Sequence, residues 1–180
     1  LCVYPPTRMQ DDYSKVEKTL LFFSFMLNYI EGGFNICPIL QFGGSILTKK
    51  LRDEQRRKNY ILLAENSYIQ EDKEKTIDFY NKSLEFKASV EADIEVLFNI
   101  ALIYDELGLP NDSKEAYEKI IKLDSCNPGA YYGIAIMEEQ LGNDDMAIYS
   151  YRQAIKADPK YDRAYFFLAN LYDKLGMTEL

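Results

Sequence analysis

The 180-residue sequence predicts an all-α stack of helical hairpins, and three observations carry that prediction. A Leu-Gly pair recurs at Leu107-Gly108, Leu141-Gly142 and Leu175-Gly176, each 34 residues from the next. Seven residues before each glycine stands an alanine that follows an aliphatic residue: Ile100-Ala101, Ile134-Ala135 and Leu168-Ala169. Beyond the glycine, Tyr117, Ile120, Ile121 and Asp124 are echoed by Tyr151, Ala154, Ile155 and Asp158, at the three- and four-residue steps of one helical face. A fixed period of this length argues for units that stack side by side, and against a single catalytic pocket.

The units follow in order. Residues 57–93 form the first and least regular, with Tyr60, Leu63-Ala64, Thr76-Ile77, Tyr80 and Ser83-Leu84, and with Glu71 where the turn glycine belongs. The step from Leu63 to Ile100 is 37 residues, which places three extra residues in the connection around Ser89 to Asp93. Residues 94–127 carry Leu97, Tyr104 and Tyr117 around the Leu-Gly turn, and residues 128–161 carry Tyr131, Ala147, Tyr151 and Pro159. Residues 162–180, with Tyr165, Tyr172 and Leu175-Gly176, supply a first helix and no second, as in a piece of something longer. In the units from Ile94 and Pro128 the glycine can take the positive φ that ends one helix and turns the chain back. The alanine seven residues earlier lets two helices approach closely.

This pattern resembles the tetratricopeptide repeat, whose unit is 34 residues. The unit from Pro128 departs from it at Glu138, where the family has an aromatic residue, and the unit from Ile94 has Ser113 for the usual alanine and Ser125 for the usual proline. The resemblance covers residues 57–180. It implies a right-handed superhelix whose first helices line a concave side that holds an extended peptide or a partner helix, with no catalytic role.

Once packing positions are assigned, the first helices leave a candidate surface of Phe98, Asn99, Leu102 and Asp105, then Tyr132, Ile136 and Glu139, then Phe166, Phe167 and Asn170. Phe98, Tyr132 and Phe166 share one place in three consecutive units. Two readings stay open: an aromatic stripe for a peptide with apolar anchors and some basic character, or core packed against the N-terminal segment or a further helix. Family members that clamp carboxylate tails of chaperones use cationic residues where this chain has Phe98, Tyr132, Gly133 and Phe167, so no such clamp is expected here.

Composition narrows the function classes. The chain has no histidine, which removes the usual general base and the commonest metal ligand. Cys2, Cys37 and Cys126 are odd in number and lack CxxC spacing, so a reducing compartment, the cytoplasm, is inferred, with no metal and no cofactor. Residues 1–58 carry net +3 and residues 59–180 net −11, and so acidic a body repels nucleic-acid phosphates.

Residues 1–56 do not follow the repeat. From Thr19 to Thr48 there is a single charge, Glu31, ahead of the basic run "KKLRDEQRRK", which reads as a solvated helix face. Residues 19–48 are either short helices broken at Gly32-Gly33 and Gly43-Gly44 that cap the first unit, or a membrane-associated anchor facing the repeats to the cytoplasm. The expected function is a scaffold for a protein or peptide partner. Alternatives are a membrane docking platform, the regulatory arm of a longer enzyme, or self-association through the open C-terminal end.

Overall fold

The computed structural model describes residues 38–177, with side chains from residue 48 onward. The chain divides into two compact units, Leu1–Thr48 and Lys49–Leu180. Among the described residues there are seven α-helices and no strand: α1 (Pro38–Ile69), α2 (Lys73–Leu84), α3 (Val90–Glu106), α4 (Pro110–Leu123), α5 (Pro128–Gln140), α6 (Asp144–Ala157) and α7 (Asp162–Lys174). From α2 onward each packs chiefly on its chain neighbours, which is the connectivity of a stack of hairpins.

The four hairpin turns share one geometry. After α3 the Gly108 N–H donates to Asp105 O and the Leu109 N–H to Tyr104 O, a Schellman closure repeated at Gly142 and Asn143 and at Gly176 and Met177. The three glycines sit at φ +70°, +77° and +70°. Glu71 takes φ +60° at the same point of the first turn, with Glu71 N–H bonded to Tyr68 O and Asp72 N–H to Ser67 O. The fold imposes the left-handed turn even where the sequence supplies a residue with a Cβ. Helix starts are fixed locally, by Asp72, Ser89 and Asn127 side chains accepting from Lys75, Ala92 and Ala130 N–H and by Pro110 and Pro128 in first turns.

Where paired helices cross, small residues meet. Ala64, Ala101 and Ala135 are fully buried, as are Thr76, Ser113 and Ala147 on the second helices. The Ser113 hydroxyl donates to Ala101 O at 2.8 Å, so a serine takes the alanine position without an orphaned polar group. Ala169, the same position on α7, is exposed because no second helix covers it among the described residues.

Three sequence expectations change. The helix break at Gly43-Gly44 is absent, since α1 runs through both glycines; a glycine costs a helix only about 1 kcal/mol, and a long helix carries that. The extra residues near Ser89 to Asp93 go mainly into helix: they add a turn to the start of α3, which has 17 residues where α5 and α7 have 13. The basic run is not wholly a solvated face, because Arg57 is 4% exposed. Its guanidinium donates to Ser83 O, Phe86 O and Ala92 O at 3.0–3.2 Å and pairs with Asp93 at 2.7 Å. Arg57 thus closes the end of α2 and anchors the added turn of α3.

The apolar interior forms two clusters, one from Ala64 to Met137 and one from Ala135 to Leu171, with Ile136 packed against both. No helix among the described residues is long and apolar enough to cross a membrane; residues 19–37 of the candidate anchor lie outside the described residues.

Candidate functional site

The predicted surface lies on the first helices α3, α5 and α7, and the second helices shape it from behind. Tyr80, Tyr117 and Tyr151, equivalent residues of α2, α4 and α6, are at most 6% exposed. The Tyr117 ring lies over Gly133, where a Cβ would sit 2.4 Å from it, and meets Phe98 edge-on at 5.9 Å. Gly133 is therefore a close-approach residue beneath a tyrosine rather than a surface position. Burial pushes the Tyr117 hydroxyl up to about 12, and Tyr151 is raised as well, by burial first and then by Glu139.

The aromatic stripe divides into core and surface. Phe98 is half-buried, its ring resting on Gly129 of the next unit, where a Cβ would lie 3.1 Å from Cζ. Tyr132 is half-buried among Tyr151, Tyr161 and Phe167, with centroids at 6.1, 5.6 and 5.5 Å. Phe166 at the same place is 62% exposed, since no further unit covers it among the described residues. Of the remaining predicted residues, Leu102 is 51% exposed, Asn170 is exposed, Ile136 and Phe167 are half-buried, and Asn99 turns its amide to the Tyr80 hydroxyl.

Carboxylates at the C-terminal ends of the first helices are engaged by neighbouring units. Gln140 Nε2 donates to Asp105 at 2.9 Å, and Lys174 pairs with Glu139 at 3.7 Å; both donors occupy the same repeat position. Glu106 accepts from Tyr68 Oη at 2.8 Å and pairs with Lys73 at 2.9 Å, and those two donors hold its carboxyl below the usual range. Asp105 and Glu139 thus tie units together. Glu65, Glu95 and Asp173 remain exposed on the first helices without an ion pair among the described residues, and Glu65 and Glu95 add to the burial that raises the Tyr80 hydroxyl. Glu65 was legible only through the 37-residue step, which aligns it with Leu102. Tyr161, from the connection before α7, joins the Tyr132 cluster and carried no repeat signal.

Glu138, the departure from the family pattern, is 3% exposed and belongs to the packing. Lys114 Nζ pairs with it at 2.8 Å and Asn143 Nδ2 donates at 2.8 Å. Burial pushes this carboxyl up, but the two donors outweigh burial and hold it below the ordinary range. Among the described residues no group of three or more metal-ligating side chains comes together.

Comparison with known proteins agrees with this architecture. The TPR repeat family matches residues 137–176, and the tetratricopeptide repeat family matches residues 94–125. Two crystal structures of MamA are similar at 28% and 26% identity, with TM-scores of 0.54 and 0.58, covering 64% and 68% of this chain. The match spans 66% of each of those MamA chains. The first TPR of Spaghetti (RPAP3), bound to the HSP90 peptide SRMEEVD, shares the fold at 16% identity and TM-score 0.57, over 68% of this chain and 94% of its own. No curated protein sequence matches.

Proposed function

Residues 94–125 and 137–176 are tetratricopeptide repeats, and from that premise we propose that the chain is a non-catalytic scaffold holding an extended partner segment along its first-helix face. The observation that carries this reading is Leu102. It stands 51% exposed on α3, in the middle of the stack, between half-buried Phe98 and Ile136. An apolar anchor of the partner seated there would remove it from water, and such anchors are worth about 2 kcal/mol when they act as hot spots.

The partner is not an acidic C-terminal tail. Phe98, Tyr132 and Phe167 occupy the clamp positions with aromatic rings, Gly133 lies under Tyr117, and Asn99 is turned to Tyr80. Titration with the peptide SRMEEVD is expected to give no binding; micromolar binding would contradict this part of the reading. The groove itself is tested by panning a displayed random 12-residue peptide library on the full chain and measuring selected peptides against Leu102→Ser and Phe166→Ser. Both residues are exposed, so the helical circular dichroism should hold while affinity falls at least tenfold. Tyr132 is a poor choice for this test because it packs on three other rings.

A further inference from the structure

Equivalent positions along the groove differ in chemistry from one end to the other. At the junction of the first two units, Glu65 and Glu95 are exposed, lie near the Tyr80 hydroxyl, and have no ion-pair partner among the described residues. Of the cations nearby in sequence, Lys58 binds Glu54 at 2.6 Å and Lys73 binds Glu106, while Lys87 is exposed. At the next junction the corresponding places are Leu102 and Gly129, without charge. At the third they are Ile136 and Arg163, and Arg163 is exposed near Tyr132 and Tyr161, again without an ion-pair partner among the described residues. Asp158 also faces Tyr161, but its carboxylate accepts from the Lys160 N–H at 2.9 Å. Asp173 is ten residues from Arg163 along α7, about 15 Å away.

Resting on the groove reading above, we infer that the partner is an extended segment of ordered charge, with a Lys or Arg against Glu65 and Glu95, apolar side chains on Leu102 and Ile136, and an Asp or Glu against Arg163. Charge complementarity is the reason. Glu65 and Glu95, then Leu102 and Gly129, then Arg163 hold corresponding junction positions in the order minus, neutral, plus, and a ligand of the opposite order gains attraction at both ends and avoids like-charge contacts. The spacing is set by the stack. Glu95 and Arg163 are two units apart, and at roughly 10 Å per packed helix the span is about 20 Å. At about 3.3 Å per residue, an extended partner crosses it in about six residues.

The experiment uses the displayed 12-residue library on the full chain. Expected winners carry a basic and an acidic residue about six positions apart with apolar residues between. A synthetic winner should bind Glu65→Lys/Glu95→Lys and Arg163→Glu about tenfold more weakly, and swapping the peptide's charge at the matching end should restore affinity to either variant. Winners that lose affinity on Leu102→Ser yet stay within about twofold on both charge reversals would overturn the charge order and leave the groove reading intact. Absence of enrichment, or winners indifferent to Leu102→Ser, would remove the groove reading and this inference with it.

Discussion

Lys114→Met is the perturbation whose outcome the structure defines most tightly. It deletes the ammonium that pairs at 2.8 Å with Glu138, keeps most of the stem volume, and leaves a carboxylate 3% exposed with one donor, the Asn143 amide at 2.8 Å. Breaking a fully buried pair from one side costs about 3–5 kcal/mol. Here the Lys114 side chain is 29% exposed and the amide remains, so about 2–3 kcal/mol is expected at pH 7. The pH dependence gives the sign. In the parent protein the folded carboxyl is depressed below its unfolded value, so its stabilisation is present above that value, about 4.3, and fades as pH falls through the folded value. In the variant, burial without the ammonium raises the carboxyl, so the penalty is greatest at neutral pH and is relieved as Glu138 takes up a proton on acidification. Urea unfolding followed by circular dichroism, run at pH 7 and pH 4 on both proteins, should show a difference that shrinks at pH 4. An equal difference at both pH values, or one below about 0.5 kcal/mol at pH 7, would refute the assignment of Glu138 as a buried, paired carboxylate.

Three further outcomes follow from particular contacts. Gly133→Ala drives a Cβ to 2.4 Å from the Tyr117 ring, so it should cost about 1–3 kcal/mol in the same urea assay. Gly142→Ala meets no atom within 4 Å but must hold φ +77°; it should cost about 1 kcal/mol, whereas Glu71→Ala, already at φ +60° without glycine, should be nearly neutral. Arg57→Met leaves three carbonyls and Asp93 without their buried donor and should cost about 3 kcal/mol, with faster hydrogen exchange confined to the start of α3 and the end of α2.

The stack itself was legible because each unit repeats its own constraints. The Leu-Gly turn, the aliphatic-Ala pair and the second-helix tyrosine recur at fixed offsets, and even Glu71 could be placed at a turn by register before its φ was known. What escaped the sequence depends on pairs from different units. Whether an aromatic at the Phe98 position is core or surface is decided by the neighbouring unit: Phe98 lies over Gly129, Tyr132 meets Phe167 and Tyr161, and Phe166 meets no later unit among the described residues. A glycine following an aromatic at the inter-unit spacing was the available signal for Gly129. Arg57 was hidden because its partners are mostly backbone carbonyls, which carry no sequence signature. The added turn of α3 looked like a loop insertion because a change of period gives the number of extra residues and not their conformation.

The most direct test of the scaffold reading is where a bound peptide lies. A panned peptide carrying a photoreactive p-benzoylphenylalanine at its central apolar position, crosslinked to the full chain and mapped by mass spectrometry, should attach to α3 and α5 beside Leu102 and Ile136. Attachment to the exposed faces of α4 and α6, around Lys119 or Tyr149, would contradict it.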